Sequence, residues 1–234
     1  MEKTIFFAPD ITINNQLPEE EAKHCVKVLR KTVGDEILIT NGQGDFFDAQ
    51  IASVAGKHCI VEIINTIKAP NDWAYNLHIA FAPTKNNDRS EWFTEKATEI
   101  GINRLTPLLC RHSERKEIKN SRFEKILVSA MKQSQKATLP QLDDMIPFSK
   151  FIQQEFEGRK FIAHCHPQEK SLLKDLYKQG EDALILIGPE GDFSEKEVSE
   201  ALKNGFEPIS LGTSRLRTET AALVACQTIH ILNQ

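Results

Sequence analysis

Hydrophobic and polar positions in the first part of the chain form short β-type runs separated by turn signals, after one helical stretch at residues 19–29. The runs at residues 36–40 and 46–51 flank a glycine-containing turn, which predicts a β-hairpin. A run at residues 58–64 predicts a further strand, and residues 65–73 show little periodicity, which predicts a linker. The pattern therefore predicts a small β-rich unit.

After residue 72 the pattern changes to apolar strand-like runs that are separated by longer helical patterns. The predicted strands are residues 77–82, 104–109, 160–164, 183–187 and 208–211. The predicted helices are residues 88–100, 121–139, 194–205 and 218–232. This alternation is typical of an α/β domain with a largely parallel sheet. We therefore expect two domains, residues 1–72 and residues 73–234.

Several residues carry the signals of helix ends. Gly101 follows the first helix of the α/β domain at the position of a C-terminal cap. Ser121 and Ser194 each precede a glutamate by the spacing of a capping box. Thr218 is the expected N-terminal cap of the last helix.

The composition is that of an ordinary soluble globular protein, with 40% hydrophobic and 26% charged residues. Its longest apolar stretches are far shorter than the roughly 20 residues that cross a bilayer, and no targeting segment is visible. We therefore expect a cytoplasmic protein that does not bind membranes. Scattered cysteines without a C-x-x-C pair argue against a disulfide framework or a zinc site. The run 164–166 (HCH) does not suit one metal ion, because neighbouring strand side chains point to opposite faces, so we expect no metal.

The net charge of −4 gives no reason to expect nucleic acid as a partner of the whole molecule. Residues 84–140, however, contain 12 basic against 7 acidic residues. Such a segment fits a phosphate-contacting surface, and it equally fits a solvated loop and helix face.

Two glycine-containing segments follow predicted strands, at residues 187–193 (IGPEGDF) and 211–220 (LGTSRLRTET). Ligands of α/β domains bind at the carboxyl ends of strands, where glycine lets the backbone approach a ligand closely. Each segment alone is also typical of a strand-to-helix turn that needs glycine for its geometry. The chain lacks the motifs G-x-x-x-x-G-K-[ST], G-x-G-x-x-G, G-x-S-x-G and H-E-x-x-H.

Three motifs occur together in order along the chain. They are K-x-x-E-x-G at residues 96–101 followed by TPL at 106–108, then IGPEGDFS at 187–194, then LGxxxLRTETA at 211–221. With HCVKVLR at residues 24–30 and the hairpin that follows, they make nearly the whole chain resemble the RsmE family. Members of that family are small-subunit ribosomal RNA methyltransferases of the SPOUT superfamily.

The resemblance implies an N-terminal PUA-like β-barrel that helps to hold RNA, and a C-terminal α/β domain of SPOUT type tied in a trefoil knot. It implies a homodimer that binds S-adenosylmethionine in its knotted loops. The implied product is N3-methyluridine in 16S rRNA, within the 30S subunit. Carried over to this sequence, the cofactor-binding residues are Ile187, Gly188, Pro189, Glu190, Gly191, Leu211, Gly212, Leu216 and Arg217.

Methylation of uracil at N3 requires alignment of the acceptor nitrogen with the methyl donor and loss of the N3 proton. The candidates are Arg217, to stabilise the deprotonated uracil or position the RNA, and Glu219, to orient Arg217 or accept the proton. A glutamate in the first turn of a helix also has a structural explanation, because it stabilises the helix N-terminus. The proton acceptor, the order of cofactor and RNA binding, and the choice between free rRNA and the assembled subunit stay open.

The candidate RNA contacts are Arg30, Arg115, Lys116, Lys132 and Gln133. Residues 132–136 are KQSQK where many relatives show Glu-Gln-Cys-Gly-Arg or Glu-Gln-Ser-x-Arg, which leaves Gln133 as the common element. Asp192 stands where glycine is frequent, so we expect a stiffer loop there.

Two other functions are alternatives. One is an RNA-binding module with a non-catalytic second domain, against which the intact Gly188, Gly191 and Gly212 argue. The other is a related SPOUT enzyme that acts on transfer RNA or on a ribose 2′-hydroxyl, which would differ in the methylated atom.

Overall fold

The computed structural model describes residues 4–69 and 73–234, which form two compact units. One unit contains the described residues before 70 together with residues 128–139, and the other contains residues 73–127 and 140–234. The predicted domain boundary at residue 72 lies outside the described residues and stays a prediction. Within the described ranges, no helix is long and apolar enough to span a membrane.

The first unit is built on a four-stranded sheet. Its elements are β1 (Ile5–Phe7), α1 (Ile11–Asn14), α2 (Glu19–Lys23), a π-helical turn (His24–Val28), β2 (Glu36–Thr40), β3 (Asp45–Ala55) and β4 (His58–Lys68). The strand order is β1-β2-β3-β4, with β1 parallel to β2 and the other pairs antiparallel. The predicted hairpin is confirmed as β2 and β3, and alternate residues such as Ile37, Ile39 and Phe47 belong to the core.

Two predictions for this unit differ from the structure. The predicted helix at residues 19–29 begins as expected but continues after Lys23 as a π-helical turn. The first part of the predicted linker is wrong, because β4 continues to Lys68, which lies opposite Asp45 of β3. Pairing with the long β3 outweighs the weak local pattern there.

The second unit is built on an eight-stranded sheet in which every strand pair is parallel. Its elements are β5 (Leu77–Phe81), α3 (Asn87–Ile100), β6 (Arg104–Leu109), α4 (Asn120–Gln133, which continues into the first unit), β7 (Gln141–Leu142), β8 (Ile146–Pro147), α5 (Phe148–Phe151), β9 (Arg159–Ala163), β10 (Ser171–Leu172), α6 (Leu173–Leu176), β11 (Ala183–Ile187), α7 (Glu195–Lys203), β12 (Glu207–Ser210) and α8 (Thr218–Leu232). The strand order is β10-β12-β9-β11-β5-β6-β7, and β8 also pairs with β6. The predicted parallel α/β sheet is confirmed, while the two-residue strands and the four-residue helices carried no sequence signal.

Helices cover both faces of this sheet. The ring of Phe81 on β5 packs 5.1 Å from the ring of Phe93 on α3, which in turn packs against α8. Ala80 and Ala82 point to the opposite face and belong to a core cluster that includes Val198 of α7. Burial on both faces explains why strands such as β11 are apolar throughout.

Of the four predicted helix-end residues, Gly101 and Ser194 are confirmed, whereas Thr218 and Ser121 are wrong. Gly101 ends α3 with a φ of 137°, which favours glycine, and Ser194 forms a complete capping box with Glu197 at the start of α7. Thr218 is not the N-cap of α8, because the helix begins one residue earlier than a threonine cap requires and Arg217 takes the N-cap position. The side chain of Arg217 forms no capping hydrogen bond at the start of α8.

Both predicted ends of α4 also differ. The helix begins at Asn120, so Ser121 lies inside its first turn instead of capping it. It ends at Gln133, before the predicted stop, because Gln135 adopts a φ of 56° and the N–H of Lys136 donates to the carbonyl of Met131. This hydrogen bond and the positive φ are typical of a Schellman motif. A sequence without glycine at that position does not reveal such a motif.

His78 on β5 is a buried imidazole whose Nε2 lies 2.7 Å from the hydroxyl oxygen of Thr106. Burial lowers its pKa to about 4, helped by the charge of Arg104 and opposed by Asp143. Because the unfolded chain has a histidine pKa of about 6.5, the unfolded state binds a proton that the folded state excludes. The part of the free energy of unfolding that depends on a neutral His78 is therefore fully present above pH 6.5 and is lost as the pH falls toward 4.

When the pH is lowered from 7 to 5, protonation of His78 in the unfolded chain should lower the free energy of unfolding by about 2 kcal/mol. Urea unfolding of the wild-type protein and of His78→Gln at both pH values measures this contribution. The variant should lose less stability on acidification than the wild type. An equal loss in both proteins would show that His78 does not titrate in this range.

Candidate functional site

Three loops at the carboxyl ends of neighbouring strands enclose a cavity of about 830 Å³. The strands are β9, β11 and β12, in which Ala163, Ile187 and Ile209 lie side by side. Because parallel strands end at the same edge of a sheet, these loops meet although they are distant in sequence. The cavity falls within the range of about 300–1,000 Å³ that is usual for small-molecule sites.

All but one of the residues predicted to hold a cofactor line this cavity, namely Ile187, Gly188, Pro189, Glu190, Leu211, Gly212, Leu216 and Arg217. The exception is Gly191, where a Cβ atom would lie 3.1 Å from the Cβ of His112. Its carbonyl oxygen is 3.2 Å from Nδ1 of His112. Gly191 therefore allows close packing against the loop after β6.

The cavity depends on glycine at two positions. A Cβ at Gly188 would lie 3.1 Å from both the ring and the backbone nitrogen of Phe193. Gly212 has a φ of +127°, which residues other than glycine rarely adopt. Larger residues at either position would displace the loop that carries it.

The loop after β9 lines the cavity and was not predicted to do so. It includes His164, Cys165, His166 and Lys170. The ammonium group of Lys170 donates to the carbonyl oxygens of His164 and His166, both at 2.8 Å, which fixes the loop. The position of this loop directly after a predicted strand is the signal that could have revealed it. Among the described residues, no group of three or more histidine, cysteine or acidic side chains is arranged to hold a metal ion.

Asp192 joins two of the three loops. Its carboxylate accepts hydrogen bonds from the N–H of Cys165 at 2.7 Å and from the N–H of Phe193 at 2.8 Å. Its φ of 63° is one that glycine, asparagine and aspartate tolerate better than other residues. The aspartate thus adopts this conformation without a large backbone cost and adds a contact between the loops.

His164 is a neutral imidazole in the cavity wall at pH 7. Burial, with a smaller contribution from the charge of Lys170, lowers its pKa to about 4. Its Nε2 atom lies 3.0 Å from the amide nitrogen of Gln168, which can only donate, so Nε2 is the acceptor. The proton therefore lies on Nδ1, which is buried and has no hydrogen-bond partner within the described part of the chain.

The two predicted catalytic residues point to different places. Arg217 lines the cavity, is exposed, and has no ion pair or hydrogen bond from its side chain to a described residue. Glu219 is buried beside α3, with its Oε1 atom 3.8 Å from Nε of Arg89. Glu219 therefore contacts Arg89, and within the described part of the chain no hydrogen bond or ion pair joins it to Arg217. A role for Glu219 as proton acceptor stays a prediction.

The predicted RNA contacts in the second unit are Arg115 and Lys116. The guanidinium of Arg115 donates to the carbonyl oxygens of Thr84 and Lys85, at 3.0 and 2.7 Å, and so holds the loop between β5 and α3. Lys116 is exposed. The structure therefore gives Arg115 a structural role that a count of charges cannot show.

The remaining predicted RNA contacts lie in the first unit. Arg30 and Gln133 are exposed. The ammonium of Lys132 is 2.6 and 2.9 Å from the carboxylate oxygens of Glu21, so its charge is already neutralised. This ion pair gives Lys132 a structural role, and it argues against Lys132 as a phosphate contact.

Family models match both parts of the chain. An RNA methyltransferase domain matches residues 71–230, and an RNA methyltransferase PUA domain matches residues 17–64. The ribosomal RNA small subunit methyltransferase E of Buchnera aphidicola subsp. Acyrthosiphon pisum is 30% identical, over 94% of this chain and 90% of its own length.

Solved structures agree with these matches. A probable rRNA-methyltransferase from Porphyromonas gingivalis is 45% identical over 98% of both chains, with a TM-score of 0.93. A Legionella pneumophila protein whose structure contains the bound cofactor S-adenosylmethionine is 28% identical over 100% of this chain and 99% of its own, with a TM-score of 0.89. The motif resemblance is thereby confirmed, and the chain belongs to the RNA methyltransferase family, as a relative of the ribosomal RNA small subunit methyltransferase E proteins.

Proposed function

We propose that this protein transfers the methyl group of S-adenosylmethionine to N3 of a uridine in 16S rRNA. The observation that carries the proposal is the cavity at the carboxyl edge of the sheet, which the glycine loops of the family motifs line. The similarity of the chain to a protein whose structure contains S-adenosylmethionine supports the choice of cofactor. Its similarity to small-subunit rRNA methyltransferases supports the choice of substrate.

The cavity has the chemistry that this cofactor needs. Its volume suits a molecule of nucleoside size, and the glycine backbones of the two predicted loops leave peptide groups open to a ligand. Apolar side chains such as Ile187, Leu211 and Leu216 offer surface for a flat base. Thr218, the first residue of α8, lines the cavity, and a helix N-terminus suits a carboxylate because its first N–H groups have no partner within the helix.

When bound, S-adenosylmethionine supplies a methyl group on a positively charged sulfur, which reacts by direct displacement. The protein then has to align the uracil N3 atom and lower the energy of its deprotonated form. Arg217 is a candidate for the second task, because it lines the cavity and its side chain has no carboxylate partner among the described residues. A positive charge there stabilises negative charge on the uracil oxygens as the N3 proton leaves.

We also propose the finer features of the assembly. These are a PUA-like barrel in residues 1–72, a trefoil knot in residues 73–234, a homodimer, and the 30S subunit as substrate in the cytoplasm. The strand order, in which β11 lies between β9 and β5, supports a knotted sheet. Exposed apolar side chains on two adjoining helices, Trp92 on α3 and Ile231 on α8, support a dimer interface. Light scattering that shows a monomer would contradict the dimer.

The test of the function uses 30S subunits from cells that lack this protein. Purified protein and S-adenosylmethionine are added, and the 16S rRNA is digested and mapped by mass spectrometry. We expect one N3-methyluridine to appear. Methylation of a ribose 2′-hydroxyl would favour the related enzyme class, and absence of both modification and cofactor binding by calorimetry would favour a non-catalytic RNA-binding module.

We expect Asp192→Gly to weaken binding of S-adenosylmethionine about tenfold, because the loops after β9 and β11 lose the carboxylate that joins them. Glycine accepts the positive φ, so the backbone itself is not strained. Calorimetry measures the affinity, with Asp192→Asn as the matched variant that keeps one acceptor and should lose less. Equal affinity in all three proteins would show that the contact does not shape the cavity.

A further inference from the structure

Arginines of the second unit fall into two groups. In one group the guanidinium binds a carboxylate or backbone carbonyls, and this group contains Arg89, Arg104, Arg115, Arg122 and Arg159. In the other group the side chain is exposed and has no such contact with a described residue, and this group contains Arg111, Arg215 and Arg217. The second group consists of charges that are available to a partner.

These three available arginines lie at the same edge of the sheet. Arg111 follows β6, whereas Arg215 and Arg217 follow β12 and line the cavity. Strands β9, β11 and β5 lie between β12 and β6, so the two loops are separated by four strand spacings, or roughly 19 Å. The available charges therefore extend from the cavity along the carboxyl edge.

The acidic residues between these loops are already engaged. Glu190 accepts a hydrogen bond from the N–H of Lys85 at 2.9 Å. Asp192 accepts bonds from two backbone N–H groups. Their negative charge is thus partly satisfied by peptide dipoles, which lowers the repulsion that a passing phosphate chain would experience.

Guanidinium groups bind phosphates in a fixed, two-pronged geometry. A cationic side chain that already binds a carboxylate or backbone carbonyls must give up those bonds first, whereas an exposed unpaired arginine loses only water. The available arginines are therefore better phosphate ligands than Arg115 or Lys132, although the clustering of charge along the sequence favoured Arg115 and Lys132.

We propose that Arg111 and Arg215 bind phosphates of one RNA strand, which runs along the carboxyl edge of the sheet and brings its target nucleotide to the cavity. The proposal rests on the proposed function for the identity of the RNA. Arg215 holds the strand beside the reacting base, and Arg111 holds it farther along the edge. Both act on binding of the strand and neither touches the reacting atoms.

The test measures RNA binding and methylation separately. Affinity for a short labelled single-stranded RNA is followed by fluorescence anisotropy over a range of salt concentrations, for the wild type, Arg111→Ala, Arg215→Ala and Arg215→Lys. Each alanine variant should reduce the slope of log K against log salt by about 0.7, the value for one lost phosphate contact on a single strand. Arg215→Lys should keep the wild-type slope.

With 30S subunits as substrate, each alanine variant should raise KM about tenfold and leave kcat within about twofold. The matched control is Lys203→Ala, because Lys203 is an exposed cation at the end of α7 and away from the loops that form the cavity. It should match the wild type in slope and KM.

Two results would overturn the proposal. One is a wild-type slope and KM in both alanine variants, and the other is a loss of cofactor affinity in Arg215→Ala by calorimetry with no change in the RNA slope. If the wild type fails to methylate 30S subunits while the slopes change as expected, the proposed function is wrong and the RNA-binding edge stands.

Discussion

Replacing Arg217 with alanine is expected to lower the single-turnover rate of methylation by about 10²- to 10³-fold. The reason is that Arg217 lines the cavity and carries the charge proposed to stabilise the deprotonated uracil, and loss of one such donor has effects of about this size in other enzymes. Single-turnover methylation of 30S subunits at saturating S-adenosylmethionine and RNA measures the rate of the chemical step.

Arg217 also lines the cofactor cavity, so cofactor affinity must be measured beside the rate. Calorimetry with S-adenosylmethionine provides this control, and Arg217→Lys tests whether charge alone suffices or the planar group is needed. An unchanged rate at saturation, or a loss that higher cofactor concentrations fully restore, would contradict the proposed role in catalysis.

Replacing Phe193 with alanine is expected to lower the free energy of unfolding by about 3–5 kcal/mol. Phe193 is fully buried, its ring lies 5.3 Å from the ring of Phe148, and it also packs against Gly188 of the cavity loop. Truncation would leave a void where the loop after β11 meets the core, so the cavity should lose its shape together with the stability.

Urea unfolding measures the effect, and tryptophan fluorescence reports it because Trp73 and Trp92 both belong to the second unit. Leu202→Ala is the matched control, because Leu202 on α7 is 39% exposed and its truncation should cost less than about 1 kcal/mol. A loss no greater in Phe193→Ala than in Leu202→Ala would show that this ring does not support the cavity.

Periodicity placed the main strands and helices because burial of a strand or helix face depends on residues close in sequence. β6 and β11 have the predicted limits, and the glycine loops after β11 and β12 lie at the cavity as their position behind apolar strands indicated. The end of α4 was missed, since Gln135 adopts a left-handed conformation without the usual glycine signal. β4 was underestimated, since its end is set by pairing with β3.

Charge patterns gave less reliable predictions than periodicity. The basic segment suggested Arg115 and Lys132 as RNA contacts, but backbone carbonyls of residues 84 and 85 bind the first and Glu21 binds the second. Glu219 likewise contacts Arg89 on a separate helix. In each case the partner lies far away along the chain, so the sequence shows the charge without showing which group it contacts.

The sequence by itself determined the parallel α/β sheet, the two glycine loops and the resemblance that the family matches confirm. Only the tertiary structure decided which residues share the cavity. The loop after β9 lines the cavity, Gly191 packs against His112 instead of lining it, and Glu219 contacts Arg89 while Arg217 lines the cavity. The physical reason is that strand and helix formation follow local patterns, whereas a site at a sheet edge is assembled from loops whose contacts depend on strand order.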